Sequence, residues 1–220
     1  LSFCTICVAI AIANFDVEFV KEGEFLDSIK NALKHHPKHM SIDIKPAKEA
    51  TNDLKDADLD TLHSWYEKLV SPKFNFLYEC KYHQPFSAME EMADIAGFYR
   101  AFGVTVRGER VDHISMELEF MRLLALKESK ALIDREMENR DICISAQKKF
   151  LFSHLGRWTL SIVNMTEEVR FYNPLSRFLH TWISAECEYF SVKPEKIFYS
   201  FTEDTGEEEN EFCYKGGSII

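Results

Sequence analysis

Apolar positions along the chain recur mostly at three- and four-residue intervals, the period of a helix with one buried face. In "GEFLDSIKNALKHH", Phe25, Ile29 and Leu33 share such a stripe, and Pro37 ends the helix because the residue before a proline disfavours the α conformation. A polar connection, "PKHMSIDIKP", follows. In "LDTLHSWYEKLV", Leu59, Leu62, Trp65, Tyr66 and Leu69 lie on one face, and Pro72 closes that helix. "SPKFNFLYECKYHQPF" has no helical period and reads as an ordered, aromatic loop. From Ser87, Met89, Met92, Ala96, Tyr99 and Phe102 restore the period, with Gly103 where a C-terminal cap belongs. Further helices are predicted at about 112–128, 131–155 and 172–190, with Pro194 following the last. The expectation is an all-α, single helical-bundle-like domain over residues 1–200, followed by an acidic tail at 201–220.

The two ends are distinctive. "LSFCTICVAIAIANF" is shorter than the roughly 20 apolar residues a membrane span needs, and it lacks the basic flank and small-residue cleavage pattern of a signal peptide. It reads as a buried first helix. "EDTGEEENE" holds six acids and no bases, which marks a solvated segment.

Composition narrows the function classes. The chain has 220 residues, 46% hydrophobic, enough for one substantial core. Its 8 Gly and 6 Pro are too few for a many-turned β fold, while 18 Phe and 8 Tyr supply a large aromatic surface or core. A formal charge of −10 argues against nucleic acid and for a cationic partner. The six cysteines are scattered, as expected of a reducing compartment. Cys4 and Cys7 form one C-x-x-C, but no second pair completes a zinc site, and the surrounding run is apolar.

The most informative stretch is "RVDHISMELEFM". Asp112 reads as a helix N-cap, with Val111 and Met116 in the positions of a hydrophobic staple. Ile114, Leu118, Met121 and Leu124 then face the core, and Ser115, Glu119 and Arg122 face water. His113 and Glu117, four apart, supply half a metal site, with no H-E-x-x-H and no second copy of the pair. "HHPKH" adds histidines, but Pro37 breaks the helix that would align His35 with His39. No G-x-S-x-G and no cysteine in a catalytic setting is present. Aromatics, a capped acid–histidine pair and negative charge together suit a groove for an apolar peptide carrying basic residues.

"MADIAGFYRAFGV" followed by "RGERVDHISMELEFM" resembles the TorD/DmsD/NarJ family of redox-enzyme (molybdoenzyme) maturation chaperones, and "TLHSWYEKLV", "YECKYH" and "HLGRW" are similar to other landmarks of that family in the same order. The resemblance runs from about Leu59 to Phe190. It implies an all-α cytoplasmic protein without enzymatic chemistry or a cofactor. Such a protein binds the N-terminal region, often a twin-arginine signal peptide, of a molybdopterin-containing oxidoreductase subunit and withholds it from export until the cofactor is inserted. By resemblance, peptide recognition maps onto Asp112 and His113, and an aromatic-x-x-Leu-Phe motif onto Tyr66, Leu69 and Val70, where Val70 departs from the usual Phe. The Pro that often precedes the Asp-His pair is absent. Tyr82, Tyr99 and Phe102 are further groove candidates, and Glu117 and Glu119 could supply charge to a guanidinium. The state expected is a monomer or domain-swapped dimer. An alternative is a metal-dependent all-α enzyme using His113, Glu117 and one of His83 or His154; a blander one is a helical adaptor with no such client.

Overall fold

A computed structural model describes residues 24–34, 42–55, 57–70, 75–107, 110–169 and 171–197. The apolar N-terminal run with Cys4 and Cys7, the "HHPKH" histidines and the acidic tail lie outside them. Eight α-helices occur among the described residues: α1 Glu24–Lys34, α2 Lys45–Lys55, α3 Leu59–Val70, α4 Pro85–Ala101, α5 Ile114–Asp134, α6 Met137–Ser153, α7 Leu155–Met165 and α8 Tyr172–Tyr189. A 3₁₀ turn, Glu79–Tyr82, interrupts the loop ahead of α4. The all-α expectation holds. No described helix is long and apolar enough to cross a membrane.

The sequence pattern missed α2 because its buried stripe is made of weak hydrophobes. Ala47, Ala50, Thr51 and Leu54 are fully or almost fully buried at helical spacing, and the Asp43 carboxylate accepts the Lys45 N–H at 2.9 Å. Pro46 is tolerated because the first turn has no amide partner to lose. In α4 the predicted face holds at Tyr99, which is buried, and at Met92, Ala96 and Phe102, which are half-buried, but Met89 is exposed, and Ala88 and Ile95 are buried beside it. The cap at Gly103 is as expected. Its φ is +77°, and Gly103 N–H and Val104 N–H return to the Arg100 and Tyr99 carbonyls at 3.0 and 2.9 Å, a Schellman closure.

The helix predicted over 131–155 is split. Arg135, in the left-handed region at φ 61°, separates α5 from α6, and His154 at φ −130°, ψ −98° ends α6 and begins α7. Two pairings organise the fold, α5 on α6 and α7 on α8, with α2 laid against α8. Trp158, Trp182, Phe150 and Phe178 fill the centre and are almost wholly shielded from solvent. After α8 the chain returns along α7, where Ile197 N–H donates to the Arg157 carbonyl at 3.0 Å and Lys196 Nζ to the Gly156 carbonyl at 2.9 Å. Gly156 lies between the end of α6 and this returning segment. A Cβ there would lie 2.3 Å from the Leu151 carbonyl oxygen and 2.8 Å from Pro194 Cγ.

Candidate functional site

Two irregular segments, 75–84 and 110–113, cross beside the N-terminus of α5. Glu79 N–H donates to the Asp112 carbonyl at 2.9 Å, and Ile114 N–H to the Leu77 carbonyl at 2.8 Å. This pairing makes an isolated antiparallel bridge between Tyr78 and His113. Two buried tyrosines pin the crossing. Tyr82 Oη donates to the Phe76 carbonyl at 2.8 Å, and Tyr99 Oη to the Val111 carbonyl at 2.9 Å. These aromatics, expected to line a groove, bond the backbone of the two segments. Phe102 is half-buried against Phe120, at 5.8 Å between ring centres. Tyr66 and Leu69 lie on α3, but their side chains are outside the described residues.

Asp112 is fully buried, and its carboxylate is saturated by its own chain. Arg110 Nε donates to Oδ1 at 3.0 Å and Nη2 to Oδ2 at 2.7 Å, while Cys80 N–H reaches Oδ2 at 3.2 Å. The Arg110 guanidinium also lies 4.7 Å over the Tyr78 ring. A carboxylate, an amide and an aromatic face thus build a guanidinium socket occupied from within. Burial, followed by the charge of Asp112, pushes the Cys80 thiol far up, leaving it unreactive.

The helix begins one residue later than the sequence suggested. His113, not Asp112, is the N-cap of α5, and its Nδ1 accepts the Ser115 N–H at 3.3 Å. The imidazole is 6% exposed and meets the Tyr78 ring edge-on at 4.9 Å. Asp112 is freed from capping, which is why it can bind Arg110 instead. Glu119, by contrast, is on the wet face and pairs with Arg122 at 3.1 Å, as expected.

Behind the turn lies a buried network of acids and imidazoles. Glu117 is fully shielded, and its Oε2 accepts the Trp158 indole N–H at 3.2 Å. Burial, then the nearby charge of Glu79, holds its carboxyl well above the usual range, so Glu117 is a neutral acid within hydrogen-bonding reach of Glu79. Burial opposes ionisation of Glu79 too, but the hydrogen bonds and charges of His154 and His83 outweigh it and keep Glu79 ionised. His83 Nε2 sits 3.2 Å from Glu79 Oε1, and its Nδ1 3.2 Å from Glu91 Oε1. His154 Nε2 is 3.0 Å from Asp94 Oδ2, and Nδ1 faces Glu79 Oε2 at 3.2 Å. Burial alone would lower the His154 pKa; Glu79 and Asp94 together raise it. Arg157 Nη1 completes the set on Glu91 Oε1 at 3.1 Å.

His113 and Glu117 do not converge with His83 or His154 as metal ligands. Among the described residues the group of three that does converge is Glu79, Glu91 and His154. Sequence reasoning overlooked Glu79, Arg110 and Tyr78. The i,i+4 acid–imidazole pair in "YECKYH" was the available signal for Glu79.

Comparison with known proteins gives one family. Residues 22–164, more than half of the chain, match the family model described as nitrate reductase delta subunit. No curated protein matches the chain.

Proposed function

From the premise that the chain belongs to the nitrate reductase delta subunit family, a family of maturation chaperones that bind a molybdoenzyme subunit, we propose that it recognises that subunit's N-terminal region through the Asp112 turn. The client segment is a twin-arginine or similarly basic stretch followed by apolar residues, bound in the cytoplasm before export while the molybdopterin cofactor is inserted. The observation that carries this reading is the socket around Asp112. Arg110 there makes a bidentate carboxylate pair and stacks on Tyr78, which is the environment a client guanidinium requires.

Arg110 is then a placeholder. Its side chain is 30% exposed, whereas that of Asp112 is fully buried, so the arginine can swing to solvent and leave the carboxylate to an incoming one. His113, by capping α5 and packing on Tyr78, sets the position of the socket rather than donating charge to the client. Glu117 contributes from beneath, through the buried network, and the net charge of −10 favours approach of a cationic segment. Tyr66, Leu69, Tyr82, Tyr99 and Phe102 are the proposed aromatic and apolar surroundings of the peptide, with Tyr82 and Tyr99 acting by holding the loops.

The test is a pull-down from the native cell extract, comparing the wild-type chain with Asp112→Ala/His113→Ala and identifying captured proteins by mass spectrometry. A molybdopterin oxidoreductase subunit is expected with wild type and is lost with the double variant, whose folding is checked by circular dichroism. Equal capture by a folded double variant would keep the chaperone role and remove the socket from it.

A further inference from the structure

We propose that Glu79, Glu91 and His154 form a site for one divalent first-row transition-metal ion, distinct from the Asp112 socket. One ligand atom from each of the three lies within 4.8 Å of the others. They come from three places in the chain, the 3₁₀ turn, α4 and the α6–α7 junction, so the fold itself assembles them.

The surrounding bonds orient these groups inward. Asp94 Oδ2, 3.0 Å from His154 Nε2, fixes the proton on that nitrogen and turns Nδ1 towards Glu79 Oε2 and Glu91 Oε2, at 3.2 and 3.7 Å. A carboxylate behind a ligating histidine is the usual device for aiming and strengthening the imidazole. His83 spans the Oε1 atoms of Glu79 and Glu91, and Arg157 also holds Glu91 Oε1, leaving the Oε2 atoms for the interior.

Glu79 is fully buried, and its Oε2 lies 3.2 Å from His154 Nδ1. One imidazole nitrogen and two carboxylate oxygens suit Zn²⁺, Fe²⁺ or Mn²⁺, and are too few oxygens for Ca²⁺. Glu91, one-fifth exposed, is the side from which an ion enters.

The test titrates the full-length, metal-stripped chain with Co²⁺, following visible d–d absorption, and then displaces it with Zn²⁺. One equivalent is expected, without a cobalt–thiolate charge-transfer band. Glu91→Gln and Asp94→Asn, chosen because both residues reach solvent, should each weaken binding about ten- to a hundredfold with unchanged circular dichroism. The proposal is overturned if no equivalent binds, or if Glu91→Gln binds as tightly as wild type. It is equally overturned if a thiolate band appears and binding vanishes in Cys4→Ser/Cys7→Ser.

Discussion

Arg110 grips Asp112 with two hydrogen bonds, Nε to Oδ1 at 3.0 Å and Nη2 to Oδ2 at 2.7 Å, from only two residues away. So short a loop brings a guanidinium back onto a fully buried carboxylate because residues 110–113 are pinned by Tyr99 and by the bridge to Tyr78. Arg110→Ala leaves that carboxylate with the Cys80 amide alone. Removing one partner of a buried pair costs about 3–5 kcal/mol, and the partial exposure of Arg110 reduces this to about 2–3 kcal/mol. Urea unfolding at neutral pH measures it. Added guanidinium or an arginine-containing peptide should restore part of the loss, because the emptied socket accepts it.

Gly156, at the start of α7, is packed between the end of α6 and the C-terminal return. In Gly156→Ala the new methyl meets the Leu151 carbonyl oxygen at 2.3 Å, and backbone cannot yield as a flexible side chain does. The expected cost is about 3 kcal/mol or more, read as a lower urea midpoint with an unchanged slope. Wild-type stability in this variant would contradict the close packing of Gly156 against the end of α6.

Glu186 gives the chain a pH-dependent stability unrelated to either site. It is buried, with its Oε1 accepting the Trp182 indole N–H at 3.1 Å, and burial, reinforced by Glu128, pushes its carboxyl up to about 7 from an ordinary 4.5. The folded chain therefore holds this proton more tightly than the unfolded one. That stabilisation is fully present below 4.5 and is lost as pH rises through 7. Glu186→Gln keeps the indole bond without the titration. Its stability relative to wild type should rise by about 3 kcal/mol between pH 4 and pH 8. Parallel pH profiles for the two proteins would contradict this assignment.

Arg135 occupies the left-handed region at φ 61° between α5 and α6, and Glu136 N–H closes on the Ala131 carbonyl at 2.8 Å. Only glycine adopts that conformation without a Cβ penalty. Arg135→Gly is expected to stabilise the exposed turn by about 1 kcal/mol, seen as a higher thermal midpoint.

Much of this fold is legible from periodicity, and the failures have physical reasons. α1 shows itself through Phe25 and Ile29, whereas α2 hides because alanines carry its buried stripe. The α6–α7 break escapes because nothing local marks it; His154 is held by Asp94 and Glu79, the latter 75 residues away in sequence. The site divides along the same line. Asp112 and His113 stand out as neighbours ahead of an apolar helix, yet the partners that define them, Cys80 and Tyr78, lie more than thirty residues earlier. Reading Asp112 as the cap was a one-residue error with a large consequence, since a capping carboxylate could not also have served as the floor of a guanidinium socket.

The most direct test of the account is calorimetric titration of the full chain with a synthetic peptide carrying two adjacent arginines and an apolar stretch, using wild type, Asp112→Asn and Arg110→Ala. The first variant keeps a side-chain oxygen for the Cys80 amide but loses the charge. The account predicts at least about tenfold weaker binding by Asp112→Asn and tighter binding by Arg110→Ala, in line with loss or release of a buried charge-assisted pair. Binding by a folded Asp112→Asn that equals wild type would show that the peptide does not use this carboxylate.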